Sequence, residues 1–236
     1  MDGIAFICGC GHSGTSLLAN MLAAHPDVYI PLEETSLFLK DRRQSTTKFQ
    51  ALLKEARRAG KRFLVEKTPN HINRLGEIRE LVPGARFIVP VRDGRDVAAS
   101  IAKRVGGDPA PGIERWIQAN TIVQSQRDMA DVHIYRHEDL IEEPMTVLQK
   151  ICQFTSIPFN EAMLNYHLQP RCWFGQEQIR RGTGADGEEH RALRNWQINQ
   201  PIFDNRGRWR SELQEQDVAE LTVGRGRSLM QFFHYL

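Results

Sequence analysis

The chain has 236 residues, of which 41% are hydrophobic and 25% charged, and its formal net charge is +2. This length and composition predict a single globular domain over residues 1–236. The small net charge argues against a nucleic-acid polymer as the main partner. The apolar runs are far shorter than a membrane span, and the N-terminus lacks a signal-peptide pattern, so we expect a cytoplasmic protein without a membrane span.

The stretch that begins at residue 4 has the pattern of a strand, a glycine-rich turn and a helix. Residues 4–8 form a short apolar run that is typical of a buried parallel strand. Gly9, Gly11 and Gly14 follow, and a helical pattern begins at Thr15. Such a turn binds anions through backbone N–H groups and the helix dipole. The spacing fits the P-loop template G-x-x-x-x-G-K-[ST], but Thr15 replaces its lysine.

Further along the chain, predicted strands alternate with predicted helices. Strands are predicted at residues 63–66, 87–91 and 132–135, and helices at residues 46–58, 72–81, 96–103, 113–129 and 144–154. This alternation predicts an α/β fold with three layers, in which helices cover both faces of a central parallel sheet and the first strand leads into a P-loop-type turn. Residues 171–195 are polar and glycine-containing, and we expect a mobile acceptor loop or lid there.

Polar residues follow three of the predicted strands, in the segments GCGHSGTS, EKTP and VRDGR. Ligands of an open parallel sheet collect beyond the carboxyl ends of its strands. Arg92 leaves one strand, and Ser100 and Arg104 lie four residues apart on the helix predicted after it. Two guanidinium groups and a hydroxyl suit a phosphate dianion, although arginines that merely solvate a helix are the alternative.

With these motifs, the chain resembles the sulfotransferases that use 3′-phosphoadenosine 5′-phosphosulfate. It is most similar to the branch of the tyrosylprotein sulfotransferases and their bacterial relatives. The matching segments are GHSGTSLLANMLAAHPDV, EET, EKTP, RFIVPVRDGRDVAASIAKR, and YRHEDL followed by EEP. They occur in the family's order over about the first two-thirds of the chain. The resemblance implies in-line transfer of a sulfuryl group to a hydroxyl acceptor, with a glutamate as general base.

The resemblance also implies which residues bind the nucleotide. Those implied to hold the 5′-phosphosulfate form the glycine-rich turn: Gly11, His12, Ser13, Gly14, Thr15 and Ser16. Arg92, Ser100 and Arg104 would hold the 3′-phosphate. Arg208, in the closing segment QPIFDNRGRWR, would touch the nucleotide as well.

Three residues take catalytic roles from the same resemblance. Glu34 falls on the general base, although this sequence has one extra residue before it. Lys67 falls on a basic residue that would neutralise charge on the leaving oxygen. His12 stands where the family has lysine or arginine, and our hypothesis is that it donates to the bridging oxygen or the sulfuryl group. A loop histidine bonded to backbone is the alternative.

Other classes of protein share parts of this pattern. A P-loop kinase or NTPase needs a lysine that reaches the phosphates, and Thr15 stands against it. A serine hydrolase with Ser13 as nucleophile needs the second glycine of G-x-S-x-G, which Thr15 also replaces. A non-catalytic nucleotide-binding protein would keep the anion sites without needing Glu34 and Lys67.

The acceptor is open at this level, because a tyrosyl peptide, a carbohydrate and a small alcohol or phenol all need the same base. We expect the tryptophans to be packing residues, with Trp173 the best candidate among them for acceptor contact. We expect no metal, since fixed cations and N–H donors can stabilise a sulfuryl group, which carries less charge than a phosphoryl group. A homo-oligomer is compatible with the sequence.

Overall fold

The structure, a computed structural model, describes residues 1–39, 41–184 and 187–236. The strands in these ranges are β1 (Gly3–Ile7), β2 (Val28–Tyr29), β3 (Phe63–Lys67), β4 (Arg86–Val91) and β5 (Val132–Arg136). The α-helices in these ranges are α1 (Thr15–Ala23), α2 (Arg42–Arg58), α3 (Leu75–Leu81), α4 (Gly94–Ala102), α5 (Ala110–Ser125), α6 (His137–Glu142), α7 (Pro144–Thr155), α8 (Gly187–Ile198), α9 (Trp209–Glu212) and α10 (Gly224–Phe232). Across the described ranges, no helix is both long and apolar enough to span a bilayer.

The strands form one parallel sheet with helices on both faces. On one face, Phe6 and Phe87 pack against side chains of α2, α3, α4, α5 and α10. On the other face, Ile7 and Val65 pack against side chains of α1 and α7. Because successive strand residues point to opposite faces, the neighbours Phe6 and Ile7 enter different cores. The three-layer α/β prediction is therefore confirmed.

The strand order β2-β3-β1-β4-β5 places β1 at the centre, with β3 on one side and β4 on the other. The turn after β1 is tied to its neighbour by a hydrogen bond from the Gly9 N–H to the Pro69 carbonyl (3.0 Å). The chain that leaves β1 runs towards β2 and β3 on one side of β1, whereas the connection from β3 crosses to β4 on the other side. At such a switch point, a crevice opens at the carboxyl ends of the strands. The turn, Lys67 and Arg92 all lie at this edge.

The prediction of an irregular segment over residues 171–195 is wrong for its carboxyl-terminal part. Helix α8 begins within it, with Ala192 and Asn195 buried. The polar composition conceals this helix, because part of its buried face is an asparagine instead of an apolar residue. Residues 185 and 186 lie outside the described residues. Mobility and a lid function for this segment stay predictions.

Trp173 lies in the core. Its side chain is fully buried, and its indole N–H donates to the Oδ1 of Asn20 on α1 (2.9 Å). Its backbone N–H donates to the Oδ1 of Asn195 on α8 (2.8 Å). The expected packing role of Trp173 is therefore confirmed, whereas the alternative of an acceptor contact is wrong, and the residue links α1 to α8.

The start of α2 is set by a capping carboxylate. The Asp41 Oδ1 accepts hydrogen bonds from the backbone N–H groups of Arg43 and Gln44 (3.1 and 3.0 Å). These N–H groups have no partner within the helix, so the cap satisfies them. The helix consequently begins at Arg42, earlier than the predicted residue 46.

We expect Asp41→Ala to lower the free energy of unfolding by about 1 kcal/mol, because two N–H groups lose their acceptor. Urea unfolding followed by circular dichroism measures this difference. Asp41→Asn, which keeps a capping oxygen, is the matched control and should stay close to the wild type. Equal stability of the alanine and asparagine variants would contradict the capping role.

Candidate active site

The glycine-rich turn after β1 follows a backbone path that favours glycine. Gly9, His12 and Gly14 all have positive φ (139°, 68° and 89°). A β-carbon at Gly14 would lie 2.3 Å from Nδ1 of His137, which begins α6, so only glycine fits there. A β-carbon at Gly11 would meet no described atom within 4 Å, so the turn is open on that side. Gly14 is the N-cap of α1 and provides no side-chain hydrogen bond. The first N–H groups of α1 can therefore donate to an anion.

Three hydroxyl groups line this turn. The Oγ of Ser13 is buried and, apart from an interaction with the weakly polar Cys10 thiol, has no hydrogen-bond partner in the described part of the chain. Thr15 is also buried, at the first position of α1. The Oγ of Ser16 accepts a hydrogen bond from Nη2 of Arg194 (3.2 Å). The predicted phosphate-binding hydroxyls therefore lie together at the N-terminus of α1.

Arg92 reaches this turn from the end of β4. Its side chain is buried, and its Nη1 and Nη2 donate to the carbonyls of His12 and Asn205 (both 3.3 Å). Its Nε is buried without a hydrogen-bond partner among the described residues. Its Nη2 lies 3.9 Å from the carboxylate of Asp96, which also accepts from the Gly207 N–H (2.8 Å). Because an unpaired buried donor is costly, this Nε suits an acceptor such as a phosphate oxygen.

His12 and Ser100 contact each other, so α4, the helix after β4, adjoins the glycine-rich turn. The Nδ1 of His12 lies 2.8 Å from the Oγ of Ser100. Burial, reinforced by Arg194 and Arg104, lowers the pKa of His12 to about 3. The imidazole is therefore neutral at pH 7 in the free chain. A donor role for the neutral ring stays a prediction.

Two arginines proposed for the nucleotide lie further out. Arg104 is exposed and follows α4, which ends at Ala102, so the prediction that it shares a helix with Ser100 is wrong. The Nη2 of Arg208 lies 2.6 Å from the carboxylate of Glu212. The segment that carries Arg208 is nevertheless held at the Arg92 side of the site by the hydrogen bonds described above. Nucleotide contacts by both arginines stay predictions.

Glu34 and Lys67 form an ion pair at the end of β3. The Lys67 Nζ is fully buried and lies 2.8 Å from the Oε1 of Glu34, whose side chain is 34% exposed. The ammonium also lies 5.1 Å from the centre of the Phe174 ring. Burial alone would raise the pKa of Glu34, but Lys67 and then Arg194 outweigh burial and lower it. Glu34 is therefore ionised at neutral pH, as a general base must be.

A buried carboxylate holds the loop that carries Glu34. The Oε1 of Glu66 accepts hydrogen bonds from the hydroxyls of Thr35 and Thr68 (both 2.7 Å). Its Oε2 lies 2.9 Å from the Nδ1 of His71. Because Thr35 follows Glu34 directly, these bonds fix the base above the end of β3. No motif in the sequence indicates this role for Glu66.

Arg194 is a further site residue that sequence reasoning missed. Its Nη2 lies 3.3 Å from the Oε1 of Glu34, and its guanidinium lies 4.2 Å from the centre of the Phe174 ring. It projects from α8, in the segment expected to be irregular. The signal for that helix was present in Glu188 and Glu189, because acidic residues favour the first turn of a helix.

These elements combine an anion-binding turn of the P-loop type with a carboxylate–ammonium pair at the switch point of a parallel sheet. The sulfotransferase family model matches residues 5–59 and 40–161, which is more than half of the chain. The chain therefore belongs to the sulfotransferase family.

Individual relatives agree with this membership. The chain is 30% identical over 199 residues to a protein-tyrosine sulfotransferase of Drosophila melanogaster, covering 69% of this chain and 40% of the relative. It is 29% identical over 199 residues to protein-tyrosine sulfotransferase 1 of Danio rerio, covering 69% of this chain and 56% of the relative. The matches thus span about half the length of these relatives.

Solved structures share the fold. The sulfotransferase domain of the Synechococcus PCC 7002 olefin synthase superposes with a TM-score of 0.67 at 21% identity, covering 99% of this chain and 94% of that one. Mouse sulfotransferase SULT7A1, solved in complex with PAP, superposes with a TM-score of 0.62 at 16% identity, covering 100% and 89%. At these identities the comparison concerns the fold alone.

The neutrality of His12 can be measured directly. We expect the Cε1–H resonance of His12 to show no change of protonation between about pH 8 and pH 5, because burial and nearby arginines lower its pKa to about 3. His12→Asn assigns the resonance, since asparagine tolerates the positive φ at this position. A midpoint near ~6.5, the ordinary value for histidine, would contradict this environment.

Proposed function

We propose that this chain transfers a sulfuryl group from 3′-phosphoadenosine 5′-phosphosulfate to a hydroxyl-bearing acceptor. The observation that carries the proposal is the position of Glu34, an ionised carboxylate beside the buried Lys67 and bridged by Arg194 to Ser16 at the start of α1. Family membership supports the same reaction. A protein that only binds a nucleotide would not need the Glu34–Lys67 pair. A P-loop kinase would need a lysine at the position of Thr15.

The residues of the site fit such a donor. The buried Nε of Arg92 and Oγ of Ser13 have no full hydrogen-bond partner in the described ranges, and phosphate oxygens would supply one. The N–H groups at the start of α1 would hold the 5′-phosphosulfate. Arg92 and Ser100 would hold the 3′-phosphate. Arg104 and Arg208 are proposed as outer contacts.

The side chains then divide the chemistry between them. Glu34 takes the proton of the acceptor hydroxyl as its oxygen forms a bond to sulfur. The bond between sulfur and the bridging phosphate oxygen breaks, and its electron pair leaves on that oxygen. Lys67 stabilises the negative charge that develops there. The products are the sulfated acceptor and adenosine 3′,5′-bisphosphate, with the proton on Glu34.

The acceptor is proposed only as a hydroxyl compound. The relatives described above are named protein-tyrosine sulfotransferases, which makes a tyrosyl peptide the first acceptor to test. A carbohydrate and a small alcohol or phenol complete the screen, because all three acceptors need the same base. Cytoplasmic localisation stays a prediction.

The role of Glu34 is tested by Glu34→Gln. We expect transfer from labelled donor to fall by about 10²–10⁴-fold, because the amide cannot accept the acceptor proton. Adenosine 3′,5′-bisphosphate should still bind, as measured by isothermal titration. Glu33→Gln changes the neighbouring exposed carboxylate and is the matched control, expected to retain full activity.

Normal binding of the bisphosphate with full transfer by Glu34→Gln would remove the base assignment. Failure of the wild type to transfer sulfate to any acceptor class would overturn the proposed reaction. Tight binding of ATP with no preference for the bisphosphate would favour a kinase or NTPase instead.

The position of the 3′-phosphate is tested by Arg92→Lys, which keeps the charge but loses the Nε donor and the planar fork. We expect the Kd for adenosine 3′,5′-bisphosphate to rise by about 10-fold or more, since hydrogen bonds to charged groups contribute ~1.5–3 kcal/mol. The Kd for adenosine 5′-monophosphate, which lacks the 3′-phosphate, should change far less. Equal losses for both nucleotides would show that Arg92 does not read the 3′-phosphate.

A further inference from the structure

We propose that Arg194 provides, from α8, the positive charge beside the transferred sulfuryl group that the glycine-rich turn of this chain lacks. This inference rests on the proposed function and adds to it a residue from outside the motifs. It makes Arg194 a catalytic residue, in contact with the group being transferred.

The turn itself carries no cation for this purpose. Thr15 occupies the place of the P-loop lysine, and the residue before Ser13 is His12. The imidazole is buried beside the Ser100 hydroxyl and is neutral. The negative charge of the sulfuryl oxygens therefore has no counter-charge from the turn, although its N–H groups can donate to them.

Arg194 lies where such a charge is needed. Its Nη2 contacts the Oγ of Ser16 on the donor side (3.2 Å) and the Oε1 of Glu34 on the acceptor side (3.3 Å). In an in-line transfer, sulfur lies between the leaving oxygen and the attacking oxygen. A guanidinium that bridges the turn and the base is therefore beside the path of the transferred group.

The guanidinium also has donors to spare. Within the described residues, the hydrogen bonds of Arg194 all come from Nη2, which leaves Nη1 and Nε for other acceptors. Its side chain is 31% exposed, and its flat face lies on the Phe174 ring. Lys67 and Arg194 both contact Glu34, at 2.8 and 3.3 Å, so two cations share this carboxylate.

The position of Arg194 is fixed by the packing of α8 against α1. The Nδ2 of Asn20 on α1 donates to the carbonyl of Ile198 at the end of α8 (2.7 Å). Asn195 is next to Arg194, and its Oδ1 accepts a hydrogen bond from the backbone N–H of Trp173 (2.8 Å). Because α1 begins at the glycine-rich turn, these bonds hold Arg194 and Ser16 in one rigid unit. Such preorganisation is what makes a fixed charge effective in catalysis.

The test compares Arg194→Gln with Arg191→Gln, which removes an exposed arginine from the same helix. We expect Arg194→Gln to lower kcat by about 10²–10³-fold, the cost of removing one donor to a developing charge. Its Kd for adenosine 3′,5′-bisphosphate, which lacks the sulfuryl group, should change less than about 3-fold. Arg191→Gln should match the wild type in both measurements.

A pH profile separates this role from one in which Arg194 only holds Glu34. The charged and titratable groups around Arg194 are Glu34 and Lys67 on one side and His12, His190 and Arg104 on the other. Removing Arg194 takes away a cation that lowers the pKa of Glu34, so the acid limb of kcat/KM moves to higher pH. We expect the loss of rate to persist on the plateau above that limb. Full recovery of the wild-type rate on the plateau would overturn the inference.

The outcomes are distinct. If Arg194→Gln is as active as Arg191→Gln while the wild type transfers sulfate, the inference is wrong and the proposed function stands. If the wild type transfers sulfate to no acceptor, the proposed function fails and the inference with it. Thermal unfolding checks that each variant folds. If Arg194→Gln unfolds, Arg194→Met, which keeps an apolar stem against the Phe174 ring but removes the charge, carries the test with the same expected loss, and wild-type activity of Arg194→Met would overturn the inference. Arg194→Lys, which keeps the charge, should lose only about 10-fold.

Discussion

The buried ammonium of Lys67 is the constraint on which the site depends. A fully buried cation costs several kcal/mol unless it is paired, and its partner is Glu34 at 2.8 Å. The loop after β2 must therefore cross the end of β3, and Glu66 holds it there through the Thr35 hydroxyl. Since Lys67 ends the strand next to β1, the carboxylate arrives beside the glycine-rich turn. The geometry of the proposed base follows from satisfying one buried charge.

The parts of the candidate site that local sequence encodes could be located from the sequence. A short apolar run, closely spaced glycines and an opening helix are contiguous, so the turn from Gly9 to Gly14 was recognisable without tertiary information. Arg92 was recognisable in the same way, as a charged residue directly after a buried strand. Both features rest on the rule that ligands collect at the carboxyl ends of parallel strands. The strand order that brings them together required the structure.

The parts that depend on long-range contacts were not predictable in this way. Helix α8 is anchored by Asn195 and by Asn20, which lies on a distant segment of the chain, so its buried face lacks an apolar period. Arg194 was missed with it. For His12, the residue type alone gives no information on its surroundings, whereas burial and nearby arginines lower its pKa to about 3. In each case the deciding neighbour is far away in sequence.

The charge balance of the site connects binding to catalysis. Within the described site, Lys67 and Arg194 both contact the carboxylate of Glu34, and Arg92 faces the carboxylates of Asp96, Glu138 and Asp93. An anionic donor would add negative charge beside Lys67 and Arg194. Lys67 and Arg194 lower the pKa of Glu34, and a bound anion beside them would oppose their effect. On the proposed function, donor binding therefore raises the basicity of Glu34. In the free chain, Lys67 and Arg194 stabilise the negative charge of Glu34 alone, and in the complex they also face the anionic donor. Glu34 therefore becomes a stronger base only when a sulfuryl group is present for transfer.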